Sequence, residues 1–293
     1  MKQLISIIFF LSFYFCSFSQ EIIIEGKVQD LKNNTNLSFA NIGIANKNVG
    51  TVSNENGAFR LKLIGKENSN DTILFTYVGY KTKNVLVYSL KSKYNIILLE
   101  PKTNVLSEVV IKPKRFRIKE IGRSASGFGL MHMNVNNYYE KDVHDWLSKE
   151  SGMRLAINKE CKIKDLNFNI TSNQFKSVKF RVNFYKIENG LPTELIVDKN
   201  IIFEIKDAYL GWFNVNLEHY NINFHKDTKE VVVAIQWVES KKMNEKSKYF
   251  AISTAISPFN NFYYRDKAMA KWGKGKKSLS FYLTAMVYKK TAD

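Results

Sequence analysis

The chain has 293 residues, enough for about two domains, and its 45% hydrophobic content excludes disorder as a description of the whole. It carries a formal net charge of +17 at pH 7, densest in the short block Lys112-Pro-Lys-Arg-Phe-Arg-Ile-Lys119. Phe (21) and Tyr (15) are abundant and Pro (4) is scarce, a balance that, with many Ile, Val and Thr, favours strands over helices.

Residues 1–19 read as a signal peptide. Lys2 supplies the positive start, Leu4 to Phe15 form an apolar core, and Ser17 and Ser19 are small residues spaced for cleavage before Gln20. The apolar run is shorter than the ~20 residues a bilayer core requires. Cys16 follows Phe15, where a lipoprotein signal wants a small residue. The sequence holds no second long apolar run, so no transmembrane span is expected in the mature chain. The chain is expected to be exported, to the periplasm, the outer membrane's surface or the cell surface. With export, nucleic acid is not an expected partner; acidic envelope polymers and glycans are the counter-surfaces for so much positive charge. Cys161 is then the single cysteine left, so no internal disulfide is expected and the thiol reads as a small buried hydrophobe.

Residues 20–100 read as seven short strands: 22–28, 39–44, 50–52, 58–63, 72–78, 85–88 and 94–99. Phe59, Leu61 and Leu63 alternate with Ala58, Arg60 and Lys62, while Thr72 to Val78 is nearly continuous apolar sequence. Gly57 ends an Asn-rich turn where a positive φ is expected. The segments Gly26-Lys-Val-Gln-Asp30, Leu37-Ser-Phe-Ala-Asn-Ile-Gly-Ile44, Gly50-Thr-Val-Ser-Asn-Glu-Asn-Gly-Ala-Phe59, Phe75-Thr-Tyr-Val-Gly-Tyr80 and Leu98-Leu-Glu-Pro101 occur in this order. They resemble the carboxypeptidase-regulatory-like domain, a transthyretin-like β-sandwich found at the front of many TonB-dependent receptors and other envelope proteins. Leu106-Ser-Glu-Val-Val-Ile111 resembles the segment that comes after this domain in receptors. The resemblance implies a sandwich fold and an envelope setting. The residues after 120 are too few for a receptor's plug and large barrel.

Residues 101–125 read as a basic linker, whose charges cannot be buried, so that few contacts are expected between the units it joins. In residues 126–293, Tyr139, Val143, Trp146 and Leu147 have roughly helical spacing, which predicts one short helix within Tyr138–Lys149. Strands then resume. Val178, Phe180, Val182 and Phe184 alternate with Lys179, Arg181 and Asn183; Phe213, Val215 and Leu217 alternate with Asn214 and Asn216. Val231 to Val238 is apolar on both faces except for Gln236, as a central strand would be. About eight strands make a second antiparallel sandwich. Arg181 to Pro192, Gly211 to Leu217 and Val233 to Trp237 are similar to jelly-roll modules of bacterial envelope proteins, some of which bind glycans. The expected fold class is thus all-β, a transthyretin-like β-sandwich followed by a jelly-roll-like one.

No catalytic constellation is legible. His132, His144, His219 and His225 are followed at the third position by Val135, Leu147, Ile222 and Thr228, so none begins a zinc-peptidase motif. Gly122-Arg-Ser-Ala-Ser-Gly127 has the wrong spacing for a serine nucleophile elbow, and neither Walker loop nor dinucleotide fingerprint occurs. No cofactor or metal is expected. The candidate binding residues are Trp212, which lies opposite in parity to its strand's apolar set, and the group Trp272, Lys274, Lys276 and Lys277 in a glycine- and lysine-rich stretch. An aromatic plane beside cations suits a sugar ring or an anionic polymer. The expected function is a non-enzymatic binding or accessory module for a glycan or acidic envelope polymer. The alternatives are an accessory component docking to an outer-membrane TonB-dependent transporter or secretion machine, and an enzyme whose site is not recognisable.

Overall fold

A computed structural model describes residues 21–64, 70–90, 94–102, 115–126, 131–135, 143–259 and 261–289. The signal-peptide reading at residues 1–19 and the segment 106–111 lie outside the described residues.

The first unit has seven strands, close to those expected: β1 (Glu21–Asp30), β2 (Asn41–Ile44), β3 (Gly50–Val52), β4 (Ala58–Ile64), β5 (Thr72–Thr76), β6 (Lys83–Leu86) and β7 (Asn95–Leu99). They form two sheets, β4-β1-β7 and β3-β2-β5-β6. The pair β1–β7 is parallel and the others are antiparallel. Alternation sends Ile24 and Val28 of β1, Phe59 and Leu61 of β4, and Ile73 and Phe75 of β5 into one core between the sheets. Asn54 shapes the turn before β4 by accepting from the amides of Asn56 and Ala58 at 2.9 and 3.0 Å, and Gly57 supplies the positive φ of 73°. Asp30, buried at the end of β1, takes the Tyr80 hydroxyl at 2.7 Å. That bond, helped by the Lys32 and Asn33 amides, holds its carboxyl below the usual range.

The second unit opens earlier than expected. Residues 116–123, placed by sequence in the linker, are strand β8 (Phe116–Arg123), paired residue by residue with the last strand of the chain. Arg117 and Lys119 stay exposed on this edge strand, so their charges need no burial. After it come β9 (His132–Asn134), β10 (Glu150–Ile157), β11 (Cys161–Asn173), β12 (Phe175–Glu188), β13 (Leu191–Leu195), β14 (Ile201–Lys206) and β15 (Gly211–Asn216). The chain continues through β16 (Asn223–Phe224), β17 (Lys229–Lys242), β18 (Phe250–Ile256), β19 (Phe262–Arg265), β20 (Gly273–Gly275), β21 (Lys277–Leu279) and β22 (Phe281–Tyr288). In place of the helix expected within 138–149, the described part is a single 3-10 turn, Val143–Trp146.

These strands make two antiparallel sheets. One runs β13-β12-β17-β10-β19-β20, with β14 also on β12; the other runs β21-β18-β11-β22-β8, with β15 and β16 on β11 and β9 on β18. From β10 onward successive groups of strands alternate between the sheets, the crossing pattern of a jelly roll. The core between them is aromatic: Trp146, Phe168, Phe175, Phe180, Phe184, Trp237, Phe250 and Phe281 are all buried. Trp237 is core, as its position in a continuous apolar run implied.

The two units do not stand apart. Phe39 and Val52 of the first pack with Val238 of β17 on the outer face of the second unit's first sheet. Arg181, 2% exposed, donates across the junction to the Phe39 carbonyl, and also to Asn41 Oδ1 at 3.5 Å, Gln236 Oε1 at 3.0 Å and Asn200 Oδ1 at 2.9 Å. Gln236 in turn donates to Asn41 at 2.9 Å, and Asn200 to the Tyr77 hydroxyl at 3.0 Å. Lys179 pairs with Glu55 and, at 3.0 Å, with Glu239. The expectation of few contacts between the units therefore does not hold. The contacts bypass the basic block and run through β2, β3 and the turns beside them.

Candidate ligand-binding face

Among the described residues, no other sheet packs on the outer face of the second unit's second sheet. Its inner parity is set by hydrophobic alternation: Leu166, Phe168 and Ile170 of β11, and Phe281, Leu283, Ala285 and Val287 of β22, go to the core. The opposite parity must turn outward. Register then decides which outward residues meet. Asn169 of β11 stands opposite Trp212 of β15; Asn167 lies between Asn214 and Tyr282; Asp165 lies between Asn216 and Thr284. On β8, Gly122 faces Tyr282 and Glu120 faces Thr284.

The result is a polar platform with an aromatic wall. Trp212 and Tyr282 meet edge to face with ring centroids 5.3 Å apart. The Trp212 carbonyl accepts the Tyr209 hydroxyl at 2.6 Å, which anchors the backbone beneath the indole. Asn214 donates to Asn167 at 2.8 Å, and Asn167 to the Thr284 hydroxyl at 3.1 Å, so one hydrogen-bonded row crosses three strands. Burial raises the Tyr282 phenol pKa above its ordinary value, and the Glu120 and Asp165 carboxylates push it the same way. Near this face Lys162 is engaged by Asn221 at 2.8 Å and Lys164 by Glu218 at 3.2 Å.

The candidates from sequence do not converge. Trp212 is on this face. Trp272 and Lys274 lie just before and on β20, at the edge of the other sheet; Lys277 begins β21, an edge strand of the same sheet as Trp212, and Lys276 joins the two strands. Trp272 is half-buried rather than an exposed ring: it packs on Tyr185 at 5.3 Å, and Arg265 covers its face at 4.6 Å. Arg265 is itself fixed by Glu150 at 2.5 Å, and Tyr185 donates to Glu150 at 2.7 Å. Lys274, Lys276 and Lys277 are exposed. Sequence reasoning missed Tyr282, Asn167, Asn214, Thr284, Asp165 and Glu120. Their outward parity was readable from the alternation; that β15, β11, β22 and β8 lie side by side was not.

Cys161 is buried, and burial pushes its thiol up to about 11, the behaviour of a packing residue. Among the described residues no group of three or more His, Cys, Asp or Glu is arranged to hold a metal. No helix among them is long and apolar enough to cross a membrane.

Residues 24–111 match the family described as CarboxypepD_reg-like domain, and the first unit is such a domain. A search of curated protein sequences gave no match. Among solved structures, the chain is similar to the cysteine protease and lectin-like domains of Cwp84, a surface layer associated protein of Clostridium difficile. The identity is 13% and the TM-score 0.41, over 92% of this chain and 64% of that one. The clostridial Cwp84 protease after propeptide cleavage gives 11% and 0.38, over 91% and 71%. Infectious bursal disease virus, Gx strain, gives 9% and 0.26, over 93% and 69%. The chain thus spans less than two thirds of the first of these.

Proposed function

We propose that this chain is an exported, non-catalytic binding module that holds a neutral saccharide across the open face of its second sandwich, with the carboxypeptidase-regulatory-like domain clamped to the opposite side. The observation that carries this reading is the row Asn214–Asn167–Thr284 beside the Trp212–Tyr282 pair. A sugar ring presents C–H groups on its faces and hydroxyls on its rim. An indole and a phenol offer the first a flat apolar surface, and a row of amides and a hydroxyl already oriented by one another offers the second donors and acceptors at little ordering cost. The carboxylates of Asp165 and Glu120 accept from hydroxyls and repel anions. Of the two ligand classes expected from sequence, this face therefore suits a neutral glycan better than an acidic polymer.

The test is a glycan array followed by calorimetry on the full chain. Neutral oligosaccharides are expected to bind, and Trp212→Ala to cost about 1–3 kcal/mol of affinity, by analogy with base stacking on aromatic residues, with the melting temperature unchanged. Failure to bind any neutral saccharide, or an unaltered affinity in the Trp212 variant, would overturn the reading.

A further inference from the structure

Among the described residues, the first domain covers only part of the outer face of the first sheet. Where the first domain ends, the far corner opens into a groove of about 470 Å3 between β10, β17, the β12–β13 turn and β19–β20, lined by residues that include Arg154, Glu230, Gly190, Tyr263, Phe259 and Lys274. That volume falls in the range of small-ligand sites, about 300–1,000 Å3, and would seat one or two sugar units. We infer that this groove is a second binding site, for a sugar bearing one carboxylate.

Its charges are arranged for such a group. Arg154 spends both Nε and Nη2 on the same oxygen of Glu230, and its Nη1 has no hydrogen-bond partner among the described residues. Lys274 lies 5.9 Å over the Tyr263 ring. Its ammonium sits 3.0 Å from where a Cβ on Gly190 would stand, so the missing side chain at Gly190, which has φ +70°, is what gives the lysine its place. The Gly190 carbonyl is fixed by the Tyr263 hydroxyl at 3.1 Å. Two cations and one carboxylate leave a single net positive charge, which matches a monoanion better than a doubly charged phosphate. A planar guanidinium suits a carboxylate's geometry. Phe259, 67% exposed, supplies an uncovered ring on which the rest of a sugar can lie. This site does not depend on the Trp212 face, whose carboxylates would repel the same ligand.

The experiment uses the full chain and calorimetric titration with an oligouronate that carries a single carboxylate, one uronic acid joined to a neutral sugar, the carboxyl-reduced form of the same oligosaccharide, and inorganic phosphate. The oligouronate is expected to bind, more weakly as salt rises, and the reduced form to bind at least tenfold more weakly. Lys274→Glu should lower oligouronate affinity by tenfold or more and Phe259→Ala by roughly fivefold, while Trp212→Ala leaves it unchanged. The proposal fails if the oligouronate does not bind, if the reduced form binds equally well, if Lys274→Glu has no effect, or if phosphate displaces the oligouronate at equal concentration, which would mark a non-specific anion site.

Discussion

Both sheets of the second sandwich turn polar side chains away from the shared core, and they use them in opposite ways. On the covered sheet, Arg181, Asn183 and Gln236 are almost wholly buried. Arg181 and Gln236 are held by oxygens of the first domain, and Asn183 donates to the buried Glu150. On the open sheet, Asn214, Asn216 and Glu120 stay exposed, and among the described residues the Asn214–Asn167–Thr284 row is bonded within the sheet alone. Polarity at an outward position thus says nothing by itself about solvent. A closed set of partners from another element marks a permanent junction, and an oriented but unclosed set marks a place where a ligand can complete it.

The sharpest way to break this contrast is at Arg181. Its hydrogen-bond acceptors among the described residues are all neutral oxygens, and burial draws its pKa below the ordinary guanidinium value. Arg181→Met keeps much of the volume but strips a donor from the Phe39 carbonyl and from the Asn41, Gln236 and Asn200 side chains. At about 1–3 kcal/mol for each buried acceptor left unmet, a loss of about 3 kcal/mol or more is expected. Urea denaturation checks it. A change below about 0.5 kcal/mol, the level of an ordinary surface substitution, would mean that the covered face is a loose contact.

Gly43 probes the same junction through shape. A Cβ there would stand 2.3 Å from the Ala268 carbonyl oxygen, backbone against backbone, with no flexible side chain to give way. Ala268 is held in turn by its amide's bond to Ser148 Oγ at 2.8 Å. Gly43→Ala should push the first domain off the sheet and cost about 1–3 kcal/mol, as overpacking does. An unchanged melting curve would show that the domain can shift freely.

The first domain was legible almost strand by strand, because its alternation and Asn–Gly turn are local signals. The second domain's core was legible for the same reason. The junction was not. Lys179, Arg181 and Asn183 alternate with a hydrophobic set, which is also the pattern of a solvated face. The contrary signal lay in Val231 to Val238: a strand apolar on both faces must be covered on both, and here Val238 is covered by Phe39 and Val52 while Gln236 reaches Asn41. The open face was half legible. Trp212 could be placed outward from its parity, but its partner Tyr282 is 70 residues away on a strand whose neighbours only the fold reveals. The Trp272 stretch was also half legible: Lys274 lines the groove beside Tyr263, while the ring next to it in sequence is occupied by Arg265.

The smallest expected change in stability is on the open face, and it completes the contrast with Arg181. Asn214 is exposed, and among the described residues its side chain makes one hydrogen bond, to Asn167 Oδ1. Asn214→Ala leaves Asn167 bonded to Thr284, and although Asn167 is only 8% exposed, removing the exposed Asn214 side chain above it opens the vacated acceptor to water. Stability should therefore stay within about 0.5 kcal/mol of the parent. Affinity for the neutral saccharide should fall by about threefold to tenfold, the size of one hydrogen bond of about 0.5–1.5 kcal/mol. Thermal melting and calorimetry on the same preparation separate the two effects. A loss of more than about 1 kcal/mol in stability would show that the polar row holds the sheet together rather than awaiting a ligand, because a polar group that only orients its neighbours at a solvated face contributes little net free energy to folding.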